Sequence, residues 1–324
     1  MSPLEFVAAR VDTSQTGARL DRFVALLLER HGLIDVSKSA VRRLIVSGAV
    51  RVNGQPIRRP AFALAHRSRI EASVDRARLL APSRDGIQIT SADILYRDGD
   101  LLAVAKPAGL QTHPGADSRQ PSLVSVVTAW LANERPGLTP YLGVHQRLDR
   151  ETSGVVVFAL SLRANPGLAS AFTGRHVKKT YHAVSVTPDR TLEADRPRHL
   201  KDRLSAAGTG RSTRMVPAES GVLAETTIRI AEHLGSVVLV EAHPKTGRRH
   251  QVRAQLAADG LPIVGDARYG GVRSWPCPVP RVLLHAYSIA FPHPVSGEPL
   301  PIVCPWPSDF QRAVDCFRSR AREL

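Results

Sequence analysis

The sequence lacks the features that mark membrane-spanning, secreted and zinc-binding proteins. No apolar run approaches the roughly 18 residues that a membrane helix needs. The N-terminus has no basic stretch followed by an apolar stretch, so no secretory signal is expected. The cysteines Cys277, Cys304 and Cys316 are widely spaced and form no CxxC pair, so neither a disulfide framework nor a zinc site is indicated. These absences predict a cytoplasmic protein.

Common catalytic motifs are missing as well. There is no GxSxG, no P-loop and no HExxH motif. Gly265, Gly270 and Gly271 follow a Pro-Ile-Val run instead of opening a helix, so they do not form a dinucleotide-binding turn. A methyltransferase would also need a Gly-rich turn for its cofactor, and none is evident. The sequence therefore argues against these enzyme classes.

Positive charge is the strongest feature that is present. The chain carries 44 Lys and Arg residues against 29 Asp and Glu residues, which gives a net charge of +15. When such side chains neutralise phosphates, counterions are released, and this favours binding to a nucleic acid. A membrane surface is the alternative polyanion, but no amphipathic helix with bulky apolar anchors stands out. We therefore expect a nucleic acid partner and no membrane.

Residues 1–75 have the pattern of a small α/β domain. Apolar stripes predict two helices, in the segments GARLDRFVALLLERHG and SKSAVRRLIVSG. The Asn53-Gly54 step then predicts a hairpin turn. Arg42 and Arg43 fall on the open face of the second helix, where they are expected to contact phosphates. The domain resembles the αL-motif RNA-binding domain of a ribosomal small-subunit protein in the stretches RLDRFVA, SKSAVRRLIVSGAVRVNG and HRSRIEA.

The rest of the chain predicts a linker and a larger domain. Periodicity is lost over residues 76–90, which gain Pro and Gly, so we place a linker there. Residues 91–324 mix strand and helix patterns without regular βαβ alternation. This favours an α+β fold with a mixed, mainly antiparallel sheet. The polar, Arg-rich stretch 187–220 is expected to form a long loop.

Three polar segments of the larger domain are candidate sites. In the first, Asp149 lies between Arg147 and Arg150, where it is either a salt-bridged turn or an ionised nucleophile. In the second, a Gly turn leads into a predicted helix with Arg249 and Arg253 on one face. Cations in the first turns oppose the helix dipole, which favours function over structure. In the third, a tyrosine begins a strand behind two lysines, a position where packing is the commoner role.

Taken together, these segments resemble the RluA-type pseudouridine synthase family. Five blocks occur in the family's order: LLAVAKPAGLQTHP, RLDRETSGVVVFA, KKTYHAV, TGRRHQVRAQLAADGLPIVGDARYG and LLHAYSIAFPHP. The resemblance implies a catalytic domain with a central cleft that converts uridine in RNA to its carbon-linked isomer, without cofactor or metal. It also implies that the target nucleotide is flipped out of its stack.

The resemblance also implies roles for individual residues. Asp149 would attack the target nucleotide, Arg253 would pair with it, and Tyr181 would stack on the base and help to remove the proton from carbon 5. Further residues are expected to hold RNA or the catalytic loop: Arg147, Thr152, Lys179, Arg248, His250, Arg42 and Arg43. The family motif reads His-Arg-Leu-Asp, whereas here the sequence reads His145-Gln146-Arg147-Leu148-Asp149, so either one residue is inserted or Gln146 takes the histidine's place. The RNA contact of the family histidine is therefore not carried over.

The leading hypothesis is an RNA pseudouridine synthase that acts as a monomer on large-subunit ribosomal RNA. Transfer RNA is the alternative substrate. A different class of function is a non-catalytic RNA-binding or ribosome-assembly factor on the same scaffold. Such a factor would not need Asp149, Tyr181 and Arg253 together, and their joint presence favours the enzyme.

Overall fold

The computed structural model describes residues 5–33, 36, 38–74, 87–114, 121–134, 140–187, 196–209, 213–270 and 275–323. The chain divides into two units, residues 1–86 and 87–324. The part of the predicted linker up to residue 86 lies outside the described residues, as does the side chain of Arg43.

The first unit packs two helices on a four-stranded antiparallel sheet. Its elements are β1 (Glu5–Arg10), α1 (Leu20–Arg30), α2 (Lys38–Val46), β2 (Val50–Val52), β3 (Gln55–Pro56) and β4 (Arg69–Val74), with the strand order β1-β4-β2-β3. The apolar stripe of α1 is buried, as the periodicity predicts. Asn53 and Gly54 both have positive φ, which is the geometry of the predicted hairpin turn. Arg42 is exposed on α2, and its Nε lies 3.9 Å from Asp21 Oδ2.

The second unit is built on a ten-stranded sheet. Its strands are β5 (Ile94–Arg97), β6 (Leu101–Lys106), β7 (Ser153–Ala159), β8 (Lys178–Val186), β9 (Arg198–Ala207), β10 (Arg214–Pro217), β11 (Val222–Leu234), β12 (Val237–Pro244), β13 (Leu284–Pro292) and β14 (Pro299–Val303). Its helices are α3 (Leu123–Glu134), α4 (Ala164–Thr173), α5 (Gln251–Ala258) and α6 (Ser308–Ala321). No helix among the described residues is long and apolar enough to cross a bilayer.

The sheet is mixed and mainly antiparallel, which confirms the predicted fold class. The order is β10-β9-β11-β12-β8-β13-β7-β6-β5, with β14 beside β13, and only the β7–β13 pairing is parallel. Every residue of β7 is buried because both sheet faces are covered. Val155 and Val157 pack towards Leu168 of α4, while Val156 and Phe158 pack towards α3. This central position explains why the VVVFA run is apolar on both faces.

The prediction of a long loop over residues 187–220 is wrong. The described parts of this stretch form β9 and β10, which extend the sheet beyond β11. Leu204 is the buried residue of β9, and most of its neighbours are polar and at least partly exposed. A strand near the edge of a sheet needs little apolar surface, so its sequence carries no clear alternating pattern.

The prediction of no disulfide is also wrong, because Cys277 and Cys316 are bonded to each other. Their sequence separation of 39 gives no spacing motif. The bond forms because α6 packs on the segment that carries Cys277, with the rings of Trp275 and Phe317 in edge-to-face contact beside it. Cys304 is free and buried.

Candidate active site

A cleft of about 370 Å³ lies within the second unit. Its walls include the loop before β7, the strands β8 and β13, and the turn that leads into α5. The cleft brings together eight of the predicted site residues: Arg147, Asp149, Thr152, Lys179, Tyr181, Arg248, His250 and Arg253. Arg42 and Arg43 belong to the first unit.

Asp149 lies in a loop that is held in place by hydrogen bonds to its neighbouring residues. The Thr112 hydroxyl donates to the carbonyl of Leu148 at 3.0 Å, and the Leu148 N–H contacts the same hydroxyl oxygen at 3.0 Å. The Gly109 N–H donates to the carbonyl of Arg150 at 2.7 Å. These contacts hold the residues on either side of Asp149, so the carboxylate has a defined direction at the end of the loop.

Lys106 supports the same loop from inside the protein. Its ammonium donates to the carbonyls of Pro107 at 2.9 Å and Leu110 at 2.7 Å, and lies 3.4 Å from that of Arg150. The side chain is fully buried, and burial lowers the pKa of Lys106 to about 7. A charged residue at the end of the apolar run LLAVA is the sequence signal for this role, although the motif analysis did not single it out.

Arg253 connects two carboxylates. Its Nη1 donates to Asp149 Oδ2 at 3.1 Å, while Nε and Nη2 donate to the two oxygens of Asp266 at 2.7 and 2.8 Å. The guanidinium and the Asp266 carboxylate are both buried, so they are weakly screened by solvent. Asp149 Oδ1 receives no hydrogen bond from the described part of the chain.

The predicted pairing of Arg249 and Arg253 on one helix face is wrong. The helix α5 begins at Gln251, because His250 adopts a left-handed conformation with φ 53°. Arg249 therefore precedes the helix and is exposed, whereas Arg253 is buried in its first turn. The dipole cost of that cation is offset by its two carboxylate partners.

The other predicted residues form the walls of the cleft. Tyr181 is partly buried in β8, and burial followed by the charge of Asp149 raises the pKa of its phenol. Lys179, two residues earlier, points to the same side and donates to the carbonyl of Thr246 at 3.3 Å. Arg248 donates to the carbonyl of Leu223 at 3.1 Å, while Arg147 is exposed. The cleft is thus lined by cations around one carboxylate.

Known proteins share both units of this chain. Residues 100–258 match the RNA pseudouridylate synthase family, and residues 19–70 match the S4 domain. A protein named ribosomal large subunit pseudouridine synthase D from Xanthomonas campestris is 32% identical over 98% of this chain and 95% of its own length. The protein of the same name from Xylella fastidiosa is 33% identical over 96% and 93%. The chain belongs to the RNA pseudouridine synthase family.

Solved structures agree with the assignment of this chain, called the synthase from here on, to that family. Human RNA pseudouridylate synthase domain containing 1 superposes with a TM-score of 0.53, at 26% identity, over 68% of this chain and 87% of that one. Human RNA pseudouridylate synthase domain containing 4 gives 0.57 at 23% identity, over 70% and 94%, which supports the fold. The synthase is therefore an isomerase that acts on RNA, as the resemblance implied.

The unusual Gln146 of the synthase has a structural partner. Its side-chain N–H donates to the carbonyl of Val155 at 3.0 Å, so it bonds to the first residues of β7. His145 is exposed, and its Nε2 lies 2.8 Å from Asn165 Oδ1. Both residues line the cleft, so either side chain is placed where the family histidine could be replaced.

Sequence reasoning missed two residues of the synthase that stand behind Asp149. Asp266 pairs with Arg253, and the Tyr269 hydroxyl lies 3.0 Å from Nδ1 of His250. Both belong to the GDARYG stretch, which lies at the end of the fourth block that resembles the family. An acidic residue two positions after Val264 was the available sequence signal. Its partner Arg253 lies 13 residues earlier in the chain, and this spacing does not reveal the pair.

Proposed function

We propose that the synthase isomerises uridine in large-subunit ribosomal RNA, with Asp149 as the attacking residue. The observation that carries the assignment is the asymmetric environment of this carboxylate. Arg253 holds Oδ2, while Oδ1 receives no hydrogen bond from the described residues, and Asp149 lines a cleft of about 370 Å³. The nearby guanidinium stabilises the negative charge that a nucleophile needs.

The reaction has three steps. The bond between uracil N1 and the ribose must break, the base must turn, and a bond from the ribose to carbon 5 must form while the proton on carbon 5 is released to solvent. Asp149 Oδ1 is placed to engage the sugar during the first step. The target nucleotide must leave its stack to enter, and the walls formed by Tyr181 and the basic residues receive it.

Tyr181 is assigned to stacking and hydrogen bonding. Burial raises the pKa of its phenol, so the hydroxyl keeps its proton at neutral pH and is a weak base. We therefore give it the role of a surface for the flipped base and an O–H donor. Contact with RNA phosphates is assigned to Arg147, Lys179 and Arg248, whose charges line the entrance of the same cleft. Thr152 and His250 complete its inner wall.

The substrate assignment rests on the relatives and on the first unit. Several similar proteins are named as pseudouridine synthases of the ribosomal large subunit. The S4 domain is a separate basic unit that can bind structured RNA. We place the protein in the cytoplasm, where ribosomal RNA is modified, and propose that it acts as a monomer. No observation specifically favours transfer RNA.

The test is to incubate the purified synthase with large-subunit ribosomal RNA and, separately, with a transfer RNA pool, both transcribed without modifications. Mapping pseudouridine by position is expected to show it in the ribosomal RNA. Modification of transfer RNA alone would contradict the substrate assignment. Absence of pseudouridine in both RNAs would contradict the proposed activity.

Replacing Arg42 with alanine is expected to reduce the salt dependence of RNA binding. Arg42 is exposed on α2, its carboxylate neighbour is at the outer limit of an ion pair, and a phosphate contact there would release about one counterion. The slope of log K against log salt should fall by about 0.7 to 0.9. Arg320→Ala, an exposed arginine on α6, is the matched control. Equal slopes for Arg42→Ala and the unaltered protein would argue against this contact.

A further inference from the structure

The hydrogen bonds of the Tyr269 hydroxyl favour one tautomer of His250. The N–H of Met215, in β10, donates to the Tyr269 hydroxyl oxygen at 2.7 Å. The hydroxyl lies 3.0 Å from Nδ1 of His250. The oxygen accepts the Met215 N–H and Nδ1 is within reach of the phenolic proton, so donation of that proton to Nδ1 satisfies both groups. The imidazole must then carry its own proton on Nε2.

His250 places this Nε2 near the Asp149 carboxylate. The residue is buried and left-handed, with φ 53°, directly before α5. A histidine in this backbone region is uncommon, and such strain is concentrated at functional sites. Nε2 lies 3.8 Å from Asp149 Oδ2. Burial lowers the pKa of His250 to about 4, so the ring is neutral at physiological pH.

The ring of Tyr269 also supports the second group at the same oxygen. The Arg253 guanidinium carbon lies 5.3 Å from the centroid of the Tyr269 ring, in cation–π contact. Arg253 Nη1 donates to Asp149 Oδ2, the oxygen that His250 also faces. One tyrosine therefore contacts both donors that flank Oδ2, through its hydroxyl on one side and its ring on the other.

We infer that Tyr269 is a positioning residue for isomerisation, which acts by holding His250 as an Nε2–H donor towards Asp149. With two donors directed at Oδ2, the carboxylate is restrained so that Oδ1 alone meets the substrate sugar. The 3.8 Å gap is longer than a hydrogen bond, and catalytic contacts of this kind commonly tighten when substrate binds. The inference rests on the proposed role of Asp149. It also gives β10 a function, since its Met215 N–H orients the tyrosine.

Tyr269→Phe tests the hydroxyl alone, because it keeps the ring on Arg253. Release of tritium from carbon 5 of labelled uridine in the ribosomal RNA measures the reaction. The variant is expected to lower kcat about tenfold with little change in KM, because a tenfold change in rate corresponds to the free energy of about one hydrogen bond. His250→Asn removes the imidazole while retaining a residue that tolerates positive φ. If the hydroxyl acts through His250, adding Tyr269→Phe to His250→Asn should lower kcat no further.

A second measurement is independent of activity. The ¹⁵N shifts of the His250 ring, identified by their loss in His250→Asn, should show a protonated Nε2 in the unaltered protein and a mixture of tautomers in Tyr269→Phe. Tyr96→Phe is the matched control, because its hydroxyl donates to Asp98 at 2.7 Å outside the cleft, and its kcat should equal that of the unaltered protein. Multiplying losses in the double variant, or an unchanged tautomer in Tyr269→Phe, would overturn the inference. An unaltered protein that releases no tritium would instead contradict the proposed function and leave the tautomer result standing.

Discussion

Replacing Asp149 with asparagine is expected to abolish pseudouridine formation while RNA binding survives. The amide cannot act as an anionic nucleophile, so we expect the rate to fall by on the order of 10⁴-fold or more. Arg253 keeps its two contacts with Asp266, so the variant should remain folded. The Kd for RNA should change by less than about threefold, since phosphate contacts by other residues dominate affinity.

Tritium release from carbon 5 and filter binding of the same RNA measure the two properties of Asp149→Asn. Glu151→Gln is a suitable control, because it removes a carboxylate from the same loop. Glu151 pairs with its neighbour Arg150 and does not line the cleft. We expect this control to retain full activity. Substantial isomerisation by Asp149→Asn would refute the catalytic assignment.

Local sequence patterns predicted most of the secondary structure. The apolar stripe of α1, the Asn53-Gly54 turn and the buried run of β7 are each present where the pattern placed them. These features depend on residues that are close in sequence, through a period of 3.6 or a turn of two residues. One exception is the β9–β10 stretch, where pairing with β11 stabilises a strand that has few apolar residues.

The candidate site could be predicted only in part because its contacts are long-range. Asp149 and Arg253 are 104 residues apart in the chain, and only the family resemblance suggested that they pair. Neither the partner of Arg253 at Asp266 nor the contact between Tyr269 and His250 has a sequence pattern of its own. Helix propensity likewise does not reveal that His250 is left-handed, and it predicted a helix that runs through Arg249.

Replacing Arg253 with lysine is expected to damage both activity and stability, although the charge is retained. The guanidinium spans two carboxylates with three N–H groups, whereas an ammonium is a compact charge that cannot bridge both. Asp266 is fully buried, so an incomplete set of partners leaves its charge poorly compensated. We expect the free energy of unfolding to fall by about 3 kcal/mol. Loss of the fixed Asp149 orientation should lower kcat by on the order of 10²-fold.

Arg163→Lys separates the effect of burial from that of bidentate geometry. Arg163 also donates through Nε and Nη2 to both oxygens of one carboxylate, that of Asp100, but its side chain is 71% exposed. Solvent screening limits such a pair, so this substitution should leave the free energy of unfolding and tritium release nearly unchanged. Denaturant unfolding and initial rates on the same RNA distinguish the two variants. If Arg253→Lys behaves like Arg163→Lys in both assays, the buried guanidinium neither holds Asp149 nor compensates Asp266, and the site must be organised by other contacts.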